Sequence, residues 1–272
     1  MSGYRRRVLI TRADLTADLR GLGLAPGDAV LAHGALGALD PTVGGPDTVI
    51  GALLDAVSPG GTVLAYTDWH APYADELDDD GRVPEALRPH VPPFDAGSSR
   101  AMRENGVLPE FLRTTPGALR SAAAGASFAA LGADAAWFTA DHPLDYGYGP
   151  GSPLAKLVER AGKVVLIGAP WDTMTLLHHA EHLADLPGKR VIRYEVPFAT
   201  ADGVTWRRVE EFDTADPVVD VFAEDYFATI VGDFVAAGGG REGRVGNAPS
   251  LVVDAAPMCA FAVAWMEERA GR

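Results

Sequence analysis

The chain has 272 residues, 47% hydrophobic and 22% charged, and a formal net charge of −14. That length builds one large domain or two small ones, and the acidity argues against a nucleic-acid groove and for neutral or cationic partners. No run of about 18 uninterrupted apolar residues occurs, so no membrane-spanning helix is expected, and the single Cys259 leaves no internal disulfide to form, in keeping with a reducing, cytoplasmic setting.

The basic start, Met1 to Arg7, has the charge of a signal n-region, but Thr11, Arg12, Asp14 and Asp18 interrupt any apolar segment after it. Leu15, Leu19 and Leu22 then recur at helical spacing behind Thr11, a cap residue, and Gly21, Gly23 and Pro26-Gly27 stop that helix. A strand is expected over Asp28 to His33, an amphipathic helix over Pro46 to Val57 and a buried strand over Thr62 to Tyr66. Strand, helix and strand joined by short links predict a parallel crossover, and ligands gather at the carboxyl ends of such strands, here His33 and Asp68-Trp69-His70.

Ala71 to Ser99 lacks periodicity and is rich in proline and acids, which predicts a long functional loop. Beyond it the pattern predicts helix over Gly106 to Arg113, strand over Ala126 to Gly132 and a short helix over Ala155 to Arg160. Lys163 to Gly168 is the clearest buried strand, leading into a histidine-rich helix, and Ala201-Asp202-Gly203 marks a hairpin between Arg190–Phe198 and Val204–Phe212. Helix over Val218 to Ala237, strand over Ser250 to Val253 and helix over Met258 to Arg269 complete the chain, with no internal repeat and no domain boundary.

The histidine-rich helix carries the sharpest chemistry. Thr175-Leu176-Leu177-His178-His179-Ala180-Glu181-His182 places His178, Glu181 and His182 within reach of one spot, because residues three or four apart share a helix face. Two readings stand: His178 as a general base with Glu181 as its carboxylate neighbour, or an H-x-x-E-H zinc site with His178 and His182 as ligands and a third ligand from elsewhere. His179 and His182 also read as ordinary histidines. A second segment, Tyr146-Gly147-Tyr148-Gly149-Pro150-Gly151-Ser152-Pro153, puts Ser152 at an N-cap and Pro153 at the first helical position, with glycines that let backbone approach a ligand. It is either a phosphate-holding turn or a plain helix start.

Several segments together resemble the aminoglycoside 3-N-acetyltransferase family, in family order and over nearly the whole chain. They are Leu31-Ala32-His33-Gly34-Ala35-Leu36, Val43 to Val49, Gly60-Gly61-Thr62-Val63, Gly149 to Leu154, Thr175 to Glu181, and Arg244-Val245-Gly246-Asn247-Ala248. The resemblance implies one α/β domain spanning residues 1–272, a mixed central sheet flanked by helices, with a substrate loop near 70–99. It implies acetyl transfer from acetyl-coenzyme A to the 3-amino group of a 2-deoxystreptamine antibiotic, a resistance activity that calls for no metal. The family's T-x-L-H-x-x-E segment maps onto Thr175, Leu177, His178 and Glu181, which makes His178 the implied base. The coenzyme side falls on His33, Gly34, Ala35 and Leu36 and on Tyr148, Gly149, Gly151 and Ser152. Ala35 stands where relatives usually have serine, Gly37 where a basic residue is common, and Ala123-Ala124 where many carry His-Pro. Arg20 to Ala25 formally fits the R-x-x-G-x-A signature of the commoner acetyltransferases, but its glycines close a helix instead of opening one.

Aminoglycosides are polycations, so the acidity acquires a purpose: Asp68, Glu76, Asp95, Glu211 and Asp213 are expected to line an anionic cleft, with Tyr66 or Trp69 covering a sugar face. Thr175 is the candidate donor to the carbonyl oxygen in the transition state. The alternatives are an acetyltransferase for another biosynthetic amine, a zinc hydrolase built on His178, Glu181 and His182, and a protein that sequesters the drug without turnover. No nucleic-acid or membrane partner is expected, and the chain is compatible with a homodimer.

Overall fold

The computed structural model describes residues 9–71, 73–214 and 217–271, and the basic N-terminal run lies outside them. The first helix, α1 (Arg12–Gly21), starts on a capping box in which the Thr11 hydroxyl accepts from the Asp14 backbone N–H and Asp14 accepts from that of Thr11. Next come β1 (Ala29–Gly34), α2 (Pro46–Val57) and β2 (Thr62–Tyr66). After the long loop follow α3 (Leu108–Thr114), β3 (Leu119–Arg120), β4 (Phe128–Gly132), α4 (Ala135–Thr139), α5 (Pro153–Glu159), β5 (Lys163–Ile167) and α6 (Leu176–Leu183). The hairpin β6 (Val191–Thr200) and β7 (Gly203–Phe212), then α7 (Tyr226–Ala236), β8 (Arg241–Val245), β9 (Ala248–Asp254) and α8 (Ala255–Arg269) complete the fold.

Seven strands form one mixed sheet in the order β3-β4-β2-β1-β5-β9-β8. Its centre is parallel, β1 pairing with β2 and β5, and its flanks are antiparallel. Side-chain alternation explains why these strands are apolar throughout. Leu31, Leu64, Val164 and Leu166 enter a core shared with α6 to α8, whereas Val30, Ala32, Val63, Val165 and Ile167 enter a second core under α1 to α3. The three parallel strands end together at His33-Gly34, Tyr66 and Ile167, and this shared edge positions the site.

The hairpin is a separate two-stranded sheet, and the expected long loop is its packing partner. Trp69, Tyr73, Val83 and Phe94 form a third cluster with Val196 and Val209 of β6 and β7. The Phe94 N–H donates to the Pro197 carbonyl at 2.7 Å, that of Glu195 to the Gly81 carbonyl at 2.8 Å, and Arg88 pairs with Glu195 at 2.6 Å. Gly81 has φ +72, and a Cβ there would stand 1.8 Å from the Arg193 carbonyl, so only glycine lets the two segments touch.

Two expectations are corrected. The helix read over 218–237 begins only at Tyr226. Val218, Phe222 and Tyr226 imitate a helical stripe, but Phe222 and Tyr226 donate to Val219 and Ala223 three residues back, as turns do. Strand β8, Arg-Glu-Gly-Arg-Val, escapes notice because it is a charged edge strand exposed over all but Val245.

Candidate active site

A cleft of about 280 Å³ opens at the strand-end edge, lined by His33 to Ala35, Tyr66, Glu104 to Gly106, Ala169-Pro170, Thr175 and His178. His178 lies on α6, its ring held between those of Tyr148 and Phe227, each 4.9 Å away between centroids. Nδ1 of His178 is 2.7 Å from Oε2 of Glu181, with side chains 21% and 1% exposed respectively. The other oxygen, Oε1, accepts the Tyr226 hydroxyl. A carboxylate beside Nδ1 fixes the ring proton there and leaves the Nε2 lone pair for the cleft. Thr175 also faces the cleft, and its side chain is not spent on capping α6.

Two buried polar atoms in this cleft have no partner, Nε2 of His33 and Nδ2 of Asn105. Burial pushes the His33 imidazole down to about 4, so it is neutral near pH 7. Unsatisfied buried donors and acceptors are costly, and two in one cleft suit the amides of a bound ligand. Gly34 and Ala35 line the same wall, while Leu36 turns away into the second core.

The second coenzyme segment lies elsewhere. Tyr148 is buried beside His178, its hydroxyl 2.6 Å from that of Tyr66 and 3.0 Å from the Gly125 carbonyl. A Cβ on Gly149 would meet the His182 ring at 3.1 Å, and Gly151 has φ +83 beside Pro143. Ser152 is fully buried, accepting from the Ala155 N–H at 3.1 Å and donating to the Tyr148 carbonyl at 3.2 Å, so its hydroxyl is used up in capping α5. None of Tyr148, Gly149, Gly151 and Ser152 lines the cleft with His33.

The acids expected around a cation are dispersed. Asp68 follows β2 with φ +49, a left-handed backbone that aspartate tolerates better than most residues, and its Oδ1 accepts the Trp69 N–H at 2.6 Å. Arg120 does not pair with that carboxylate. Its guanidinium is spent on the Asp68 and Ser99 carbonyls and on the Thr67 and Ser127 hydroxyls. Burial pushes the Asp68 carboxyl up to about 7 against hydrogen bonds from Trp69 and Tyr66. Trp69 is buried on Tyr73 and Phe94, so it props the loop instead of covering a sugar. Glu76 is exposed on the loop, and Asp95 accepts from Ser98 in a turn, which lowers its carboxyl. Asp213 lies 3.5 Å from Arg190.

Glu211 is buried and 2.8 Å from Nε2 of His182, whose Nδ1–H donates to the His178 carbonyl at 2.7 Å. Both His182 nitrogens face acceptors, so the pair carries its proton on one partner or the other. This arrangement corrects the zinc reading: His182 turns its ring toward the backbone one turn before it and toward β7, away from the Nδ1–Glu181 contact of His178. Among the described residues no three His, Cys, Asp or Glu side chains are grouped to hold a metal ion. His179 is satisfied by the Tyr148 carbonyl at 2.7 Å. Sequence reasoning missed Tyr226, Phe227 and Asn105, because chain distance hides the first two and Asn105 sits in a plain turn before α3.

A family profile described as aminoglycoside 3-N-acetyltransferase matches residues 31–267. The chain is 46% identical over 269 residues to aminoglycoside N(3)-acetyltransferase VII of Streptomyces paromomycinus, covering 97% of this chain and 93% of that one. It is 44% identical over 266 residues to aminoglycoside N(3)-acetyltransferase III of Pseudomonas aeruginosa, covering 96% and 95% respectively. A solved structure, "AAC-IIIb binary with CoASH", is 64% identical and superposes with a TM-score of 0.95 over 96% of this chain and 98% of that one. On this similarity, full-length in sequence and in fold, the chain belongs to the aminoglycoside 3-N-acetyltransferase family.

Proposed function

We propose that this protein transfers acetyl from acetyl-coenzyme A to the 3-amino group of a 2-deoxystreptamine aminoglycoside, with His178 as general base. The observation that carries the reading is the His178–Glu181 pair opening onto the strand-end cleft. Its support from similarity is that relatives bear the activity in their names and that AAC-IIIb binds coenzyme A.

The incoming ammonium gives one proton to solvent. The neutral amine attacks the thioester carbonyl carbon while Nε2 of His178 takes a second proton, and Glu181 stabilises the imidazolium through Nδ1–H. Charge on the carbonyl oxygen is met by the Thr175 hydroxyl. Collapse breaks the C–S bond, and the thiolate takes the proton held by His178, leaving amide and free coenzyme A. His33 and Asn105 hold the pantetheine arm by its amides. Asp68, which forms no ion pair among the described residues, meets an ammonium of the acceptor, and Tyr66 lies between it and the cleft.

The test is thiol release from acetyl-coenzyme A with gentamicin, kanamycin and apramycin, followed by NMR of the product. Acetyl on the 3-nitrogen is expected. Tight drug binding without thiol release, or acetyl on another nitrogen, overturns the reading.

A further inference from the structure

Glu181 is a buried carboxylate with no lysine or arginine paired to it among the described residues, and burying such a charge is costly unless donors satisfy it. Its two oxygens are met by two donors, Nδ1 of His178 on Oε2 and the Tyr226 hydroxyl on Oε1. Lys189 feels the charge of Glu181, but its ammonium sits over the Phe212 ring at 4.8 Å.

Tyr226 is itself held rigidly. It opens α7, is buried, stacks on Phe222 at 5.0 Å with a 22° interplanar angle, and meets Phe227 edge-on at 4.7 Å. Phe227 in turn packs on the His178 ring. Consecutive residues of one helical turn therefore reach both halves of the pair, the carboxylate by hydrogen bond and the imidazole by ring contact. Burial and the neighbouring Glu181 both push the Tyr226 hydroxyl far above its ordinary value, so it acts as a permanent donor.

We infer that Tyr226 is a positioning residue for acetyl transfer, fixing Glu181 so that Nδ1–H of His178 is held and Nε2 is presented to the amine. The inference rests on His178 being the base proposed above. With Oε1 taken by Tyr226, Glu181 has one oxygen left for His178 and one rotamer in which to offer it. Without the hydroxyl, Oε1 is orphaned and the carboxylate is free to turn, so the ring loses its orientation and not its place.

The experiment is a double-mutant cycle with acetyl-coenzyme A and a turned-over aminoglycoside, using Y226F, which keeps the stacked ring, and E181Q. Y226F is expected to lower kcat about tenfold with KM for both substrates within about twofold, as loss of one buried charge-assisted donor implies. In the E181Q background the same change is expected to cost nothing more. A downfield proton resonance from Nδ1–H of His178, identified by its loss in H178A, is expected to move in Y226F. Equal losses in both backgrounds, a loss seen only in KM, or unchanged kcat overturns the inference. Should H178A itself turn over normally, the base assignment fails. Normal Y226F beside inactive H178A removes only Tyr226.

Discussion

The seven-stranded sheet and the hairpin-with-loop unit meet beside His178, and they are held together by different forces. The sheet is sandwiched by two apolar cores, and Thr175, His178 and Glu181 stand on a helix locked to it by Leu176, Leu177 and Ala180, all fully buried. The hairpin unit has one small aromatic cluster, and much of its cohesion comes from backbone bonds to the loop and from Arg88 with Glu195. Chemistry that needs sub-ångström placement belongs on the first kind of scaffold, whereas recognition of varied polycations tolerates the second. The seam between them is the His182–Glu211 pair, one residue on α6 and the other on β7.

H178A should break this comparison most severely if it is wrong. The proposed base, His178, sits on the sheet side, so its loss is expected to lower kcat roughly 10²–10⁴-fold for every aminoglycoside alike. Coenzyme binding measured by calorimetry should barely change. A loss confined to some acceptors would place His178 with recognition instead of chemistry.

E211Q should act at the seam, with a smaller effect. It leaves His182 beside a neutral amide, weakening a buried, charge-assisted contact worth roughly 1–3 kcal/mol. The expected outcome is a several-fold rise in KM for the aminoglycoside, with KM for acetyl-coenzyme A unchanged. Steady-state kinetics varying each substrate in turn decides it, and equal rises in both would mean that the two regions do not work separately.

The sheet side was legible because its signals are local. The apolar runs of β1, β2 and β5, Pro46 at the start of α2 and the Thr11 cap each announce an element within a few residues. His178 and Glu181 were legible for the same reason, being one turn apart. The hairpin's own turn was equally local, but its pairing with Ala71 to Ser99 was not, since it depends on Gly81, Phe94 and Glu195 meeting across more than a hundred residues. Tyr226 was hidden twice over, by its distance from Glu181 and by the false helical stripe before it. The acids misled in a different way: composition counts charges, yet Glu211 and Asp95 are already bonded within the protein, Asp68 accepts the Trp69 N–H, and Glu76 is exposed on the loop.

Asp68 sits where β2 hands the chain to the loop, and its titration offers the finest probe of that joint. Its folded carboxyl is raised to about 7 by burial, above an ordinary value of 3.8. A raised carboxyl means that the folded state holds the proton more tightly than the unfolded one. The stability Asp68 contributes is therefore complete below about pH 4 and is lost as pH rises through about 7. D68N cannot titrate, so its melting temperature relative to the parent should climb from about pH 4 to about pH 7 and then level off. Tyr66, the Trp69 N–H, Arg120 and His178 all face this position, and their pull toward the charged form is already contained in the value near 7. Saturating aminoglycoside should flatten the climb, because an ammonium beside Asp68 restores the advantage of its charged form. A constant difference at every pH would show that the carboxylate is solvated, and a climb that the drug leaves untouched would place the acceptor's ammonium groups elsewhere.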